Sequence, residues 1–238
     1  MIDKNKIKLR SEKIEIRDKK LKYLKTGLFV CVLFLIVLYL LLSLVYSEGK
    51  FTINLDKNFS DRTGIIIYEN SKEKIPKLIL EAKQTGFMDN ISMNWISKNI
   101  NNESDGSHNG TNYIAYTFYV ENRGSKAVDY WYMIPIYDIV KNVDDAVRIM
   151  VYRNDDKKVY AKIGKEGNPE KDTIPFYSND IVALEQRKDL EPAQIDKYTI
   201  VVWLEGDDPD CIDSILGGQL KLKMEFNQEF YNLNSNIK

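Results

Sequence analysis

"YTIVVWLE", Tyr198 to Glu205, decides the fold. In an extended chain successive side chains point to opposite faces, so Tyr198, Ile200, Val202 and Leu204 share one face and Thr199, Val201 and Trp203 the other. Neither set is polar, and a sheet with one wet face would show a polar set. The run therefore reads as a central strand covered on both sides. "NYIAYTFYVENRG", from Asn112, repeats the pattern, with Tyr113, Ala115, Thr117 and Tyr119 against Ile114, Tyr116, Phe118 and Val120, β-branched and aromatic almost throughout.

Working outward, further strand-like runs are "FTINL", "GIIIYE", "KLILEA", "DYWYMIPIYDI", "AVRIMVYRNDDKKVYAKI" and "QLKLKMEF". The fifth holds a hairpin turning at Asn154, Asp155 and Asp156. Strands punctuated by Gly, Pro, Asn and Asp predict an all-β, antiparallel sandwich over Glu48 to Lys238. No helix is expected in that region beyond single turns in "WISKNI" and near Ile139 to Asp145. "NINNESDGSHNGTN", Asn99 to Asn112, reads as a flexible surface loop.

The N-terminal part differs in kind. Residues 1–25 carry ten Lys/Arg and four Asp/Glu, net +6, while the remaining residues hold 24 and 31, net -7. Between the basic segment and the strands lies "TGLFVCVLFLIVLYLLLSLVYS", Thr26 to Ser47, without a charged residue. As a helix it spans about 33 Å, enough for a hydrocarbon core of about 30 Å. It is read as a transmembrane signal-anchor, since a cleaved signal peptide has a shorter apolar stretch after a shorter basic start; Val45 and Ser47 are the small residues that cleavage would use. Cys31 stands near the start of the run, not at its end where a lipid-modified cysteine would lie. The basic side stays in the cytoplasm and the acidic part goes out. Ile7, Ile14 and Leu21 form a heptad stripe that could touch anionic lipid, although a topology signal alone is the simpler reading of the segment. The short tail and the acidic outer part argue against a nucleic-acid partner.

The succession "YIAYTFYVENRGSKAVDY", "DDAVRIMVYRN" with "VYAK", and "KYTIVVWLEGDDPDC" with "GGQLKLKMEF" resembles the camelysin and TasA-like exported proteins of Gram-positive bacteria, over roughly Tyr113 to Phe226. The resemblance implies a jelly-roll-like sandwich, a cell-envelope location and, in some members, self-assembly into fibres. Those proteins usually begin with a cleaved signal followed by a strand, and this chain departs from them there. Camelysin has been regarded as a metallopeptidase; that activity is not carried across, because no residue here matches a metal-peptidase motif.

Enzyme chemistry finds little to use. His108 is the sole histidine, without a second imidazole one helical turn away as H-E-x-x-H requires. Cys211 has aspartates around it, which disfavour a thiolate. "LGG", Leu216 to Gly218, enters a strand rather than a helix, so it is no phosphate cradle. With Cys31 in the bilayer and Cys211 outside, no intrachain disulfide is available; Cys211 is a small semi-buried residue or an intermolecular link.

The stretch closest to a site is the acidic turn after Trp203. Asp207, Asp208, Asp210 and Asp213 could offer carboxylate oxygens to a hard cation such as Ca²⁺, although the spacing is not that of an EF-hand. The same residues also make a plain turn, with Gly206 and Pro209 setting the backbone, aspartates capping amides and Gly217-Gly218 re-entering a strand. No other cofactor is expected. Two functions stay open: a membrane-anchored envelope scaffold that meets a partner or its own copies through strand edges, and an extracellular binding or accessory module of a membrane complex.

Overall fold

The computed structural model describes residues 4–45, 51–83 and 87–229. The chain divides into two compact units, residues 1–48 and 49–238.

The first unit is one α-helix, α1 (Lys4–Val45), which runs from the basic segment into the apolar one. At the junction Thr26 donates its hydroxyl to the carbonyl of Lys22, 2.9 Å away. It bonds back into the preceding turn and caps no new start, so the helix does not break where composition changes. Lys19–Leu41 is long and apolar enough to cross a membrane, with mean hydropathy 2.5. That window starts earlier than Thr26, inside the basic segment. Ser47 and the side chains of Ile7 and Ile14 lie outside the described residues.

The second unit holds, in chain order, β1 (Thr52–Leu55), α2 (Lys57–Thr63), β2 (Ile65–Tyr68), β3 (Ile79–Glu81), β4 (Gly106–Ser107), β5 (Tyr113–Asn122), β6 (Val128–Val140), β7 (Val147–Arg153), β8 (Asp156–Ala161), β9 (Ile174–Pro175), β10 (Ile181–Leu190), β11 (Ile195–Leu204) and β12 (Gln219–Asn227). The helix α2 was not expected. The side chain of Asp56 accepts from the Phe59 amide at its start, and Gly64 ends it in the left-handed region at φ 78°. A side chain at Gly64 would also stand 2.6 Å from the Gly124 amide nitrogen.

Five strands form one sheet in the order β10-β6-β12-β1-β3, and β2-β5-β11-β7-β8-β9 form the other, with β4 also on β5. The expectation of an antiparallel sandwich is corrected here to two mixed sheets: β1 pairs parallel to β12, and β8 parallel to β9. Neither pair is a hairpin; β1 and β12 are the first and last strands of the unit, so no tight turn forces them antiparallel. The hairpin β7–β8 forms as expected, with Arg153 paired to Asp156.

One face of each sheet contributes to a shared core. Phe226 of β12 packs its ring against Phe118 of β5 and Tyr198 of β11, at centroid distances of 5.8 and 5.5 Å, and Tyr132 of β6 meets Tyr198 at 5.7 Å. The outer face of the seven-stranded sheet is covered too: Ile91, Ile96 and Ile100 lie over Ala115, Met150, Val159, Val201 and Trp203. The "flexible loop" at 99–112 is therefore part of a cover. It contains a 3-10 turn at Ile100–Asn102 and the strand β4, and buried Asn101 accepts from the Thr199 hydroxyl and donates to the Asn154 carbonyl. Its polar composition reads as loop because its bonding partners, Thr199 on β11 and Asn154 in the β7–β8 turn, lie far away in sequence.

Candidate functional site

The acidic loop, 205–218, joins β11 to β12. Where β11 ends, Trp203 pairs with Arg148 on β7 and with Tyr113 on β5. The chain then turns through tight backbone bonds, Asp208 N to Glu205 O at 3.3 Å and Cys211 N to Asp208 O at 3.0 Å. A second loop, 87–95, is tied to it: Ile91 bridges to Glu205, and the Gly206 amide donates to the Ile91 carbonyl at 2.9 Å. Glu205 is the hub. Its carboxylate accepts from the indole of Trp203 at 3.0 Å and from the amides of Met93 and Asp207 at 3.1 and 3.3 Å.

The four aspartates go separate ways. Asp208 is buried and accepts a hydrogen bond from Arg148, whose guanidinium is buried as well. Its other oxygen accepts from the Asp210 amide at 2.7 Å, closing an Asx-type turn. Asp207 is exposed and accepts from the Ser92 hydroxyl at 2.7 Å. Asp210 accepts from the Lys165 backbone amide and pairs with its ammonium, both at 3.1 Å. Asp213 is exposed and starts a 3-10 turn, Asp213–Ile215, whose last residue is buried. The convergence that a calcium ion needs is not there; among the described residues no group of three or more His, Cys, Asp or Glu side chains could hold a metal ion.

The loop instead belongs to an ionic network. Arg148 is shared between Asp208 and Glu170, the latter at 3.4 Å. Lys165 reaches Asp145 as well as Asp210, and Lys162 pairs with Asp144 at 2.6 Å and Asp145 at 2.8 Å. Partial burial raises the Glu170 carboxyl, and the Asp208 charge adds to it while Arg148 opposes. Desolvation would raise Asp210 too, but hydrogen bonds and charge from Lys165 hold it below the usual range. Burial lowers Lys162, and its two aspartates outweigh that and raise it.

Sequence reading missed Arg148, Lys165 and Glu170. One signal was present: in "AVRIMVY" an arginine interrupts an apolar run on a strand, which demands a buried partner. His108 is held inside the cover, its ring nitrogens 3.0 and 3.2 Å from the carbonyls of Gly106 and Ile100. Cys211 is half-buried with Asn90 donating to its sulfur at 3.4 Å. Burial pushes its thiol up, Asn90 opposes, and Asp208, Asp89 and Glu205 push further.

No family model matches the chain, and no curated protein matches it. Among solved structures it is similar to a beta-glucosidase from Kluyveromyces marxianus in complex with glucose, at 14% identity and TM-score 0.23, over 70% of this chain and 15% of that one. A selenomethionine-labelled structure of the same enzyme gives 14% identity and TM-score 0.24, over 67% of this chain and 17% of that one. The chain thus spans under a fifth of those chains, and likenesses at such scores carry no argument about activity.

Proposed function

We propose that the chain is a membrane-anchored interaction protein of the cell envelope, with its basic N-terminus in the cytoplasm and a jelly-roll-like β-sandwich presented outside. One observation carries this. Among the described residues the apolar side chains of α1 are exposed, Leu33 46%, Phe34 63% and Tyr39 71%, so the helix presents a contiguous apolar surface. In water that surface costs about 25 cal/mol per Å²; in a bilayer it costs nothing. The charge asymmetry supports the orientation, and the shared core of the two sheets supports a sandwich. The two loops knitted together by backbone and side-chain hydrogen bonds support an interaction role.

The test is topology. In wall-less cells, a reporter fused at the C-terminus should be removed by protease added outside. A reporter cleaved only after lysis would overturn the orientation, and recovery of the full chain in the soluble fraction would overturn the anchor.

A further inference from the structure

An interaction protein of this build can meet a partner through sheet edges or through loops, and among the described residues the edges are guarded. β3 is three residues long and follows Pro76. β9 has two residues, and Pro175 lacks an amide proton. The outer side of β2 is capped by Lys77, whose amide donates to the Ile67 carbonyl at 2.9 Å. β10 has two register shifts against β6, and Tyr177 donates to its Val182 carbonyl at 3.1 Å. Short strands, prolines, bulges and capping segments are the devices that stop strands from pairing across molecules.

The two knitted loops, 87–95 and 205–213, offer the opposite. They are fixed to one another by Ser92–Asp207, Asn90–Cys211 and Ile91–Gly206. On this rigid base Phe87 and Trp95 are each 75% exposed and Ile212 is 49% exposed. The same two loops carry the exposed carboxylates of Asp89, Asp207 and Asp213. Of the cations near the loops, Arg148 neutralises buried Asp208 and Lys165 serves Asp210, while exposed Lys98 follows Trp95 by three residues. No lysine or arginine occurs from Thr199 to Gly218. The surface is thus apolar and aromatic with an excess of negative charge, Asp89, Asp207 and Asp213 against Lys98, and the partner chemistry complementary to it is cationic and apolar together.

We propose that these two loops form a docking face for a protein segment carrying lysine or arginine beside aliphatic or aromatic side chains. A cation seated on the Trp95 indole gains from the ring quadrupole, and the carboxylates hold its charge. The apolar neighbours then fill against Phe87 and Ile212. A purely cationic polymer would satisfy only the charges. The proposal rests on the reading that the β unit faces partners outside the membrane, but it is tested on purified protein, so its failure and that of the topology are separate results.

The probe is a synthetic peptide of residues 4–25 of this chain, chosen for composition, since it alternates basic and aliphatic residues. The full chain in phosphatidylcholine nanodiscs is titrated with the peptide at about 0.15 M salt, where the Debye length is about 8 Å. Saturable binding is expected, weakened about tenfold by Trp95→Ala and about tenfold by Asp207→Asn with Asp213→Asn. Tyr177→Ala, which removes an exposed aromatic elsewhere, leaves it unchanged. Fully acetylated peptide should not bind. Variants whose melting matches the parent but whose affinity is also unchanged would overturn the proposal. So would polylysine binding as tightly as the peptide, absence of binding, or self-association of the chain through this face without peptide.

Discussion

Strand β11 and the loop that follows it are neighbours in sequence and opposites in legibility. In the strand, Tyr198, Ile200 and Val202 enter the inner core while Val201 and Trp203 enter the outer one, as their alternation alone predicts. In the loop, four chemically identical aspartates meet four fates: a buried arginine, a serine hydroxyl, a lysine and open solvent. Alternation is a repeated local signal that averages over its neighbours. A carboxylate's role is set by one partner, and Arg148 lies 60 residues away from Asp208. Energetics should differ in the same way, with the strand cooperative and the loop divided among separate contacts.

The largest effect should come from the strand. Trp203 is fully buried, and its indole donates to Glu205. Trp203→Ala leaves a cavity in the outer core and removes one of the donors that hold Glu205, for a loss of about 4 kcal/mol. Chemical denaturation of the variant and parent measures it. Coincident midpoints would mean that the outer cover is not a packed layer, and the contrast between strand and loop would collapse.

A smaller loss should come from the loop's one buried charge pair. Arg148→Met strands Asp208, whose side chain is wholly buried, and should cost about 3 kcal/mol. The double variant Arg148→Met with Asp208→Asn should recover part of it, since no bare charge then stays buried. Lys165→Ala should shift the melting temperature far less, because its ammonium is exposed and screened. Its sign with pH follows from Asp210. A carboxyl held below its usual range stabilises the fold above its unfolded pKa, and that contribution fades as pH falls through the folded one. The difference between Lys165→Ala and parent should thus be present at neutral pH and vanish on acidification. If Lys165→Ala costs as much as Arg148→Met, burial is not what ranks these pairs.

How far the sequence could be read follows the same division. Both central strands, the β7–β8 hairpin and the apolar helix were legible from period and composition. α2 was not, because seven residues give too short a window, although Asp56 and Gly64 are ordinary cap residues. Strand β10, "IVALEQRKDL", was missed because its second half is charged: Glu185 and Arg187 bond across to Tyr160 and Asp196 of the other sheet. The parallel pairing of β1 with β12 joins the two ends of the unit and leaves no local trace. Within the site, the aspartates were visible and their cationic partners were not, apart from the arginine breaking an apolar run.

The smallest expected effect is none, and it separates a divided loop from a convergent one. A cation that gathered Asp207, Asp208, Asp210 and Asp213 would relieve their repulsion, and the melting temperature would climb with the logarithm of free calcium above its dissociation constant. In the structure that repulsion is already relieved. Asp208 is neutralised by Arg148 and Asp210 by Lys165, while Asp207 and Asp213 stand in solvent. To bind calcium, Asp208 would have to leave its guanidinium, which would leave the buried arginine with only the longer ion pair to Glu170, a cost on the order of several kcal/mol. An extracellular site of about 10⁻⁴–10⁻³ M affinity supplies only about 4–5.5 kcal/mol in total. Melts of the full chain with chelator and with a few millimolar calcium should therefore overlay. A rise with calcium that Asp208→Asn abolishes would show that the arginine pair opens, and that the loop behaves as one site after all.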